Sequence, residues 1–134
     1  MGYKVEDASL SKTIALPAAA GSVQTVALDL KNSAKGDFLA DMEVCVVAPA
    51  LGTTPLPNGE TMKYNIQHSL DNSSFVTIAE TILTQTGAAG AGAAAATKNF
   101  RLPVDVYRYV RAQATLSAGG ADASASSVIF KALF

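Results

Sequence analysis

Thr61-Met62-Lys63-Tyr64-Asn65-Ile66-Gln67-His68 decides how the rest of the chain is read. Met62, Tyr64, Ile66 and His68 fall on one side of a period of two, and Lys63, Asn65 and Gln67 on the other. Successive side chains of a strand point to opposite faces, so the stretch predicts a half-buried β-strand. Asp71-Asn72-Ser73-Ser74 comes next. Short polar side chains of these types bond nearby backbone groups and favour turns. A second apolar run, Phe75-Val76-Thr77-Ile78-Ala79, then begins. Two such runs around a turn predict an antiparallel hairpin, 62–68 with 75–82.

The same period recurs to either side. Val26, Leu28 and Leu30 alternate with Ala27 and Asp29. Arg108, Val110, Ala112, Ala114 and Leu116 alternate with Tyr107, Tyr109, Arg111, Gln113 and Thr115. The tail Val128-Ile129-Phe130-Lys131-Ala132-Leu133-Phe134 puts Val128, Phe130 and Phe134 on one side. Ser117-Ala118-Gly119-Gly120-Ala121-Asp122 separates these last two runs, which predicts a second hairpin, 107–116 with 127–133. Val26, Leu28, Ile66, Val76, Ile78, Val110 and Phe130 are the expected core. No stretch of about a dozen residues keeps a capped 3.6 period. Short strands with turns between them predict an all-β protein, an antiparallel β-sandwich of jelly-roll-like form. The length of 134 residues fits a single domain over 1–134.

Three segments break the alternation. Residues 49–60 hold Pro49, Pro55 and Pro57 and end in Asn58-Gly59-Glu60. Proline fixes φ and cannot donate a ladder bond, so this segment is extended or turning. Residues 33–41, around Lys35-Gly36-Asp37, read as a surface loop. Residues 87–96, Gly87-Ala88-Ala89-Gly90-Ala91-Gly92-Ala93-Ala94-Ala95-Ala96, read as a low-complexity connection. Ala93 to Ala96 are the only part of it that could form a turn of helix.

Charged residues make up 16% of the chain and apolar ones 49%, against about 25% charged in an average domain. The net charge is −1, with no basic run, so no concentrated patch for nucleic acid is expected. No apolar stretch approaches the roughly 20 residues that cross a bilayer. Met1-Gly2-Tyr3-Lys4-Val5-Glu6-Asp7 has no apolar signal core, so a cytosolic origin without an anchor is expected.

Chemistry is scarce. Cys45, the sole cysteine, lies in an apolar run and reads as a small buried hydrophobe. His68, the sole histidine, reads as a strand-end residue with a local hydrogen bond. His68, Ser69 and Asp71 sit too close in sequence for triad geometry. One histidine and one cysteine cannot complete a zinc site of nitrogen and sulfur ligands. No enzyme activity, cofactor or metal is therefore expected. Arg101, Arg108 and Arg111 offer either interface contacts or pairing within their own sheet, with Asp105 or a glutamate. Opposite parity places Arg108 and Arg111 on different patches.

The stretch from Lys63 to Phe75 resembles the strand–turn–strand of capsid cement, or decoration, proteins of tailed phages. So do Phe100-Arg101-Leu102-Pro103 and Arg108-Tyr109-Val110-Arg111. The family is typified by a short-tailed Bordetella phage, and the resemblance runs over roughly residues 62–116. It implies a virion protein made in the host cytoplasm and placed on the outer face of an icosahedral head. Such a protein bridges subunits of the major capsid protein as a dimer or trimer. No catalytic residue or cofactor comes with the resemblance.

Within that reading the non-sheet segments are the expected contacts: Thr53, Thr54, Pro55, Leu56 and Pro57, with Gly87, Gly90, Ala91, Gly92 and Ala93. An arm with restricted φ angles loses little entropy on docking. A Gly/Ala segment lets another backbone come close. The sheet face with Tyr107, Tyr109 and Arg111 is the other candidate. The alternative function is a carbohydrate- or host-surface-binding β-sandwich of a phage tail or fibre. It requires an exposed aromatic platform, and the chain has no tryptophan.

Overall fold

A computed structural model describes residues 6–30, 42–103 and 105–133. The expected loop 33–41, Phe134 and most of the N-terminal stretch lie outside the described residues. The strands are β1 (Glu6–Ala15), β2 (Gly21–Gln24), β3 (Leu28–Asp29), β4 (Glu43–Ala48) and β5 (Thr61–Ser69). They continue as β6 (Val76–Thr86), β7 (Ala96–Arg101), β8 (Tyr109–Leu116) and β9 (Ser127–Leu133). Among the described residues there is no helix.

The strands form two antiparallel sheets, ordered β1-β9-β4-β7 and β2-β8-β5-β6, with β3 also paired to β8. β2 and β3 are two pieces of one interrupted edge strand, because both pair with β8. Counted that way, the sheets read 1-8-3-6 and 2-7-4-5, the wrapping of a jelly roll. The first strand pairs with the last, the second with the last but one, and so inward to β5 and β6. The described strands form one long hairpin bent at residues 70–75 and wrapped into a sandwich.

That topology keeps one expected hairpin and removes the other. β5 and β6 pair antiparallel, from Thr61↔Thr86 to His68↔Val76. β8 pairs instead with β5, β2 and β3, and β9 with β1 and β4. The 107–116/127–133 hairpin does not form, because residues 117–126 cross from one sheet to the other.

Alternation sets the core. Met62, Tyr64, Ile66, Val110, Ala112, Ala114 and Leu116 face Val44, Val46, Val128 and Phe130 across the sandwich, all buried. Leu28 is buried as expected, but Val26 is 70% exposed. Thr25 is the reason. Its N–H donates to Ala112 O at 2.9 Å, and its Oγ1 accepts from Ala112 N at 3.1 Å. A hydroxyl takes a ladder position, the strand breaks, and the next side chain turns outward. Val76, also expected inside, is 59% exposed at the start of edge strand β6. Ile78 is only half-buried, since the register slips between Tyr64 and Gln67. Thr81 at φ 52 lies in this irregular stretch and donates its N–H to Asn65 Oδ1 at 2.7 Å.

Both edges of the four-stranded sheet carry a lysine in the core-facing phase. Lys12, Phe130, Val46 and Lys98 form one cross-strand row. Long cations extend past an apolar rim to water, and an edge lysine opposes pairing with a further strand.

Burial separates two isoleucines that the sequence treats alike. Ile66→Ala is expected to cost about 2–5 kcal/mol, and Ile78→Ala clearly less. Urea unfolding of both variants checks this, and equal losses would contradict the packing described.

Candidate functional site

Register places four connections at one end of the sandwich: 16–20, 49–60, 87–95 and 117–126. Ala15 pairs with Ser127, Gly21 with Leu116, Ala48 with Ala96, and Thr61 with Thr86. The proline-containing and Gly/Ala segments, far apart in sequence, therefore meet.

They meet through hydrogen bonds. Leu51 N–H donates to Ala93 O at 2.9 Å and Ala93 N–H to Leu51 O at 2.8 Å. Gly59 N–H donates to Gly87 O, and Gly87 N–H to Glu60 O, both at 2.9 Å. The Gly/Ala segment is a tight turn rather than a helix: Ala88 N–H donates to Gly92 O at 2.8 Å. Glycine is required at two points. A Cβ on Gly87 would overlap the carbonyl oxygens of Leu56 and Pro57. One on Gly92, at φ +64, would overlap the carbonyl oxygen of Leu51.

The centre of the arrangement is Gln85, which sequence reading did not single out. It is 3% exposed. Its Oε1 accepts from the Tyr64 hydroxyl at 2.8 Å. Its Nε2 donates to Pro49 O at 2.7 Å and to Ala94 O at 2.9 Å. Burial pushes the Tyr64 phenol well above its ordinary pKa, so it stays a donor. Glu60 makes a second link: its Oε2 accepts from Ser117 Oγ at 2.5 Å and Gly119 N–H at 3.0 Å. Ala121 N–H donates to Pro55 O at 3.1 Å, tying in the same loop.

The expected contact residues divide accordingly. Thr53, Thr54, Gly90 and Ala91 are exposed at the tip, and Pro55, Pro57 and Ala93 are half-buried. Leu56, Gly87 and Gly92 are buried in the domain's own packing, so as surface contacts these three are corrected. An open groove of about 840 Å³ runs beside the tip, lined by Ala50, Leu51, Thr84, Thr86, Gly92 and Ala95 among others. Glu60 and Asp122 are the only charged residues in the four connections. Glu60 is bonded to the neighbouring connection, and the exposed Asp122 accepts from Ser124 N–H at 2.9 Å and Ser124 Oγ at 2.6 Å in a local turn. The end of the sandwich is small, apolar and almost uncharged.

The far end holds the residues weighed for catalysis. His68 stacks on Tyr107 with centroids 4.0 Å apart, and its Nδ1 accepts from Tyr107 N–H at 3.2 Å. Tyr107 thereby leaves the face of Tyr109 and Arg111. Ser69 donates to Asp71 Oδ1 at 2.8 Å, not to His68, because strand neighbours face opposite ways. Asp71 Oδ1 also accepts from Ser73 and Ser74 N–H, at 2.9 Å each. These bonds, with Ser74 the largest cause, hold its carboxyl below the ordinary range. Among the described residues no group of three or more His, Cys, Asp or Glu could hold a metal ion. Cys45 is buried. Arg108 pairs with Asp29 through Nε at 2.7 Å and Nη2 at 2.9 Å, a partner other than the expected Asp105 or glutamate. Arg111 lies over the Phe75 ring at 3.7 Å and donates through Nε to Gln67 Oε1 at 2.8 Å.

No protein-family model and no curated protein sequence matches the chain. Solved structures do. The PBSX exported protein XepA aligns with TM-score 0.55 and 18% identity, over 96% of this chain and 38% of its own. The likeness shows the fold: an all-β sandwich. The chain spans 38% of the length of XepA. The xylan-binding module CBM15 aligns with TM-score 0.41 and 11% identity, over 96% of this chain and 94% of its own. A Clostridium thermocellum xylanase 10B structure with CBM22-1 and GH10 modules aligns with TM-score 0.41 and 15% identity, over 99% and 28%.

Two outcomes follow from this geometry. Gln85→Leu leaves buried partners unpaired and is expected to cost about 1–3 kcal/mol, whereas Tyr64→Phe costs less because both amide bonds to the loops survive. Chemical denaturation compares them. Asp71 stabilises the fold above its unfolded pKa of about 3.9, and that contribution is lost as pH falls through its depressed folded value. The thermal midpoint of Asp71→Ala should therefore lie below wild type at neutral pH and converge with it in acid; a gap that persists in acid would contradict the assignment.

Proposed function

We propose that this chain is a structural protein of a phage virion that docks on the outside of an icosahedral capsid and bridges subunits of the major capsid protein. The reading rests on the sequence resemblance over roughly residues 62–116. The observation that carries it furthest is the uncharged loop end. Interface cores are depleted of charge, because burying an unpaired ion is costly. Here the only two carboxylates of the four connections are bonded internally. The tip of Thr53, Thr54, Gly90 and Ala91 can be covered without stripping water from an ion.

The two segments are already joined by the Leu51–Ala93 bonds, so docking needs little further ordering. Binding only the assembled shell stabilises it by mass action. A dimer or trimer on the shell would add avidity, and symmetry repeats the contact over the particle.

Co-sedimentation with undecorated capsids tests the reading. Thr53→Glu with Ala91→Glu places two charges on the tip and should weaken binding about tenfold or more, with the thermal midpoint unchanged. Wild-type protein that stays in the supernatant, or a charged variant that binds as well as wild type, would overturn it.

A further inference from the structure

The outer face of the five-stranded sheet is chemically unlike the loop end. Its central positions are Arg111, Gln67, Asn65, Gln113 and Lys63, in the phase opposite to the buried Ile66 and Ala112. Cross-strand pairing sets them in rows: Gln67 beside Arg111, Asn65 beside Gln113, Lys63 beside Thr115. Hydrogen bonds lock the planar groups: Arg111 Nε to Gln67 Oε1 at 2.8 Å, Gln67 Nε2 to Thr77 Oγ1 at 3.3 Å, and Asn65 Nδ2 to Gln113 Oε1 at 3.2 Å. Asn65 Oδ1 is taken by Thr81 N–H at 2.7 Å.

What remains is a surplus of donors. The amide oxygens of Asn65, Gln67 and Gln113 each already accept a bond. Among the described residues, neither the two Nη groups of Arg111 nor the Lys63 ammonium meets a carboxylate. Arg108 differs, because Asp29 neutralises it. Partial burial lowers the Arg111 pKa, yet a guanidinium stays protonated in proteins. Its stacking on Phe75 and its bond to Gln67 fix the plane in advance.

We propose that this face binds a carboxylated polysaccharide, with Arg111 and Lys63 taking carboxylates and the Asn65 and Gln113 amides between them taking sugar hydroxyls, while the buried Gln67 holds the Arg111 plane. Arginine holds carboxylates through paired N–H donors. Arg111 and Lys63 lie four strand positions apart, about 13 Å, a span for an extended chain rather than one small anion. Nucleic acid fits less well. It calls for a concentrated run of cations and bare rings for base stacking, whereas amides separate these two cations and Arg111 covers Phe75. The surface is separate from the loop end, so the inference stands apart from the capsid reading.

Affinity electrophoresis in gels containing polygalacturonate, neutral dextran or single-stranded DNA tests it. Polygalacturonate should retard the protein, and the other two should not. Arg111→Gln with Lys63→Gln should weaken retardation about tenfold, with circular dichroism reporting the fold. If the double variant fails to fold, Lys63→Gln alone, at an exposed position, should weaken it about threefold. No retardation by polygalacturonate at low salt would overturn the proposal. So would retardation that the folded variant retains, or equal retardation by DNA, which would mark general cation exchange.

Discussion

The buried contact between the Tyr64 phenol and the Gln85 amide governs the end of the sandwich where the four connections meet. A phenol and an amide out of water must find partners or cost about 1–3 kcal/mol for each unpaired group. Tyr64 finds Gln85, and Gln85 finds the carbonyls of Pro49 and Ala94. The demand of one core side chain is thus passed to two loops that share no sequence neighbourhood. Once they are drawn together, backbone meets backbone, and Gly87 and Gly92 become obligatory because a Cβ would overlap the opposing carbonyls. A segment that looks like a flexible connection is an ordered part of the core's hydrogen bonding.

The edges of the sandwich limit how it can meet a partner. A bare strand edge invites a further strand. Here Lys12 and Lys98 stand in the core-facing phase of the two edge strands of one sheet. In the other sheet β6 is distorted around Thr81, and the opposite edge is broken at Thr25. Among the described residues, two other surfaces differ in character. The loop end offers small, mostly uncharged groups, with Asp122 bonded locally to Ser124. The outer sheet face offers fixed, planar donors. On the two proposals above, the first would meet a protein surface and the second an acceptor-rich polymer.

Much of this was legible in alternation alone. The β5–β6 hairpin and the buried phase of β8 follow from period-two patterning and a turn of Asp, Asn and Ser, all local signals. The all-β sandwich followed from them. The pairing of β8 and β9 was not legible, because a jelly roll sends most successive strands to opposite sheets, and a ten-residue connection looks the same whether it turns or crosses. Val26 misled because Thr25 uses its hydroxyl in the ladder, which shifts the phase by one. Among the expected contacts, Thr53, Thr54, Gly90 and Ala91 emerge at the surface, while Leu56, Gly87 and Gly92 turn inward. Gln85 was hidden between two threonines; only its core-facing register opposite Met62 marks it. That register exists only once β5 and β6 are paired.

On the proposed function, the loop end, held together by its own hydrogen bonds, is the surface that would meet the capsid. Amide hydrogen exchange on the free and the capsid-bound protein tests this most directly. Leu51, Gly59, Gly87 and Ala93, whose N–H groups all donate within the loop end, are expected to be protected already in the free protein, and binding is expected to add protection within 49–60 and 87–95. Fast exchange at those amides before binding, or new protection confined to the far end at 70–75 and 102–108, would contradict it.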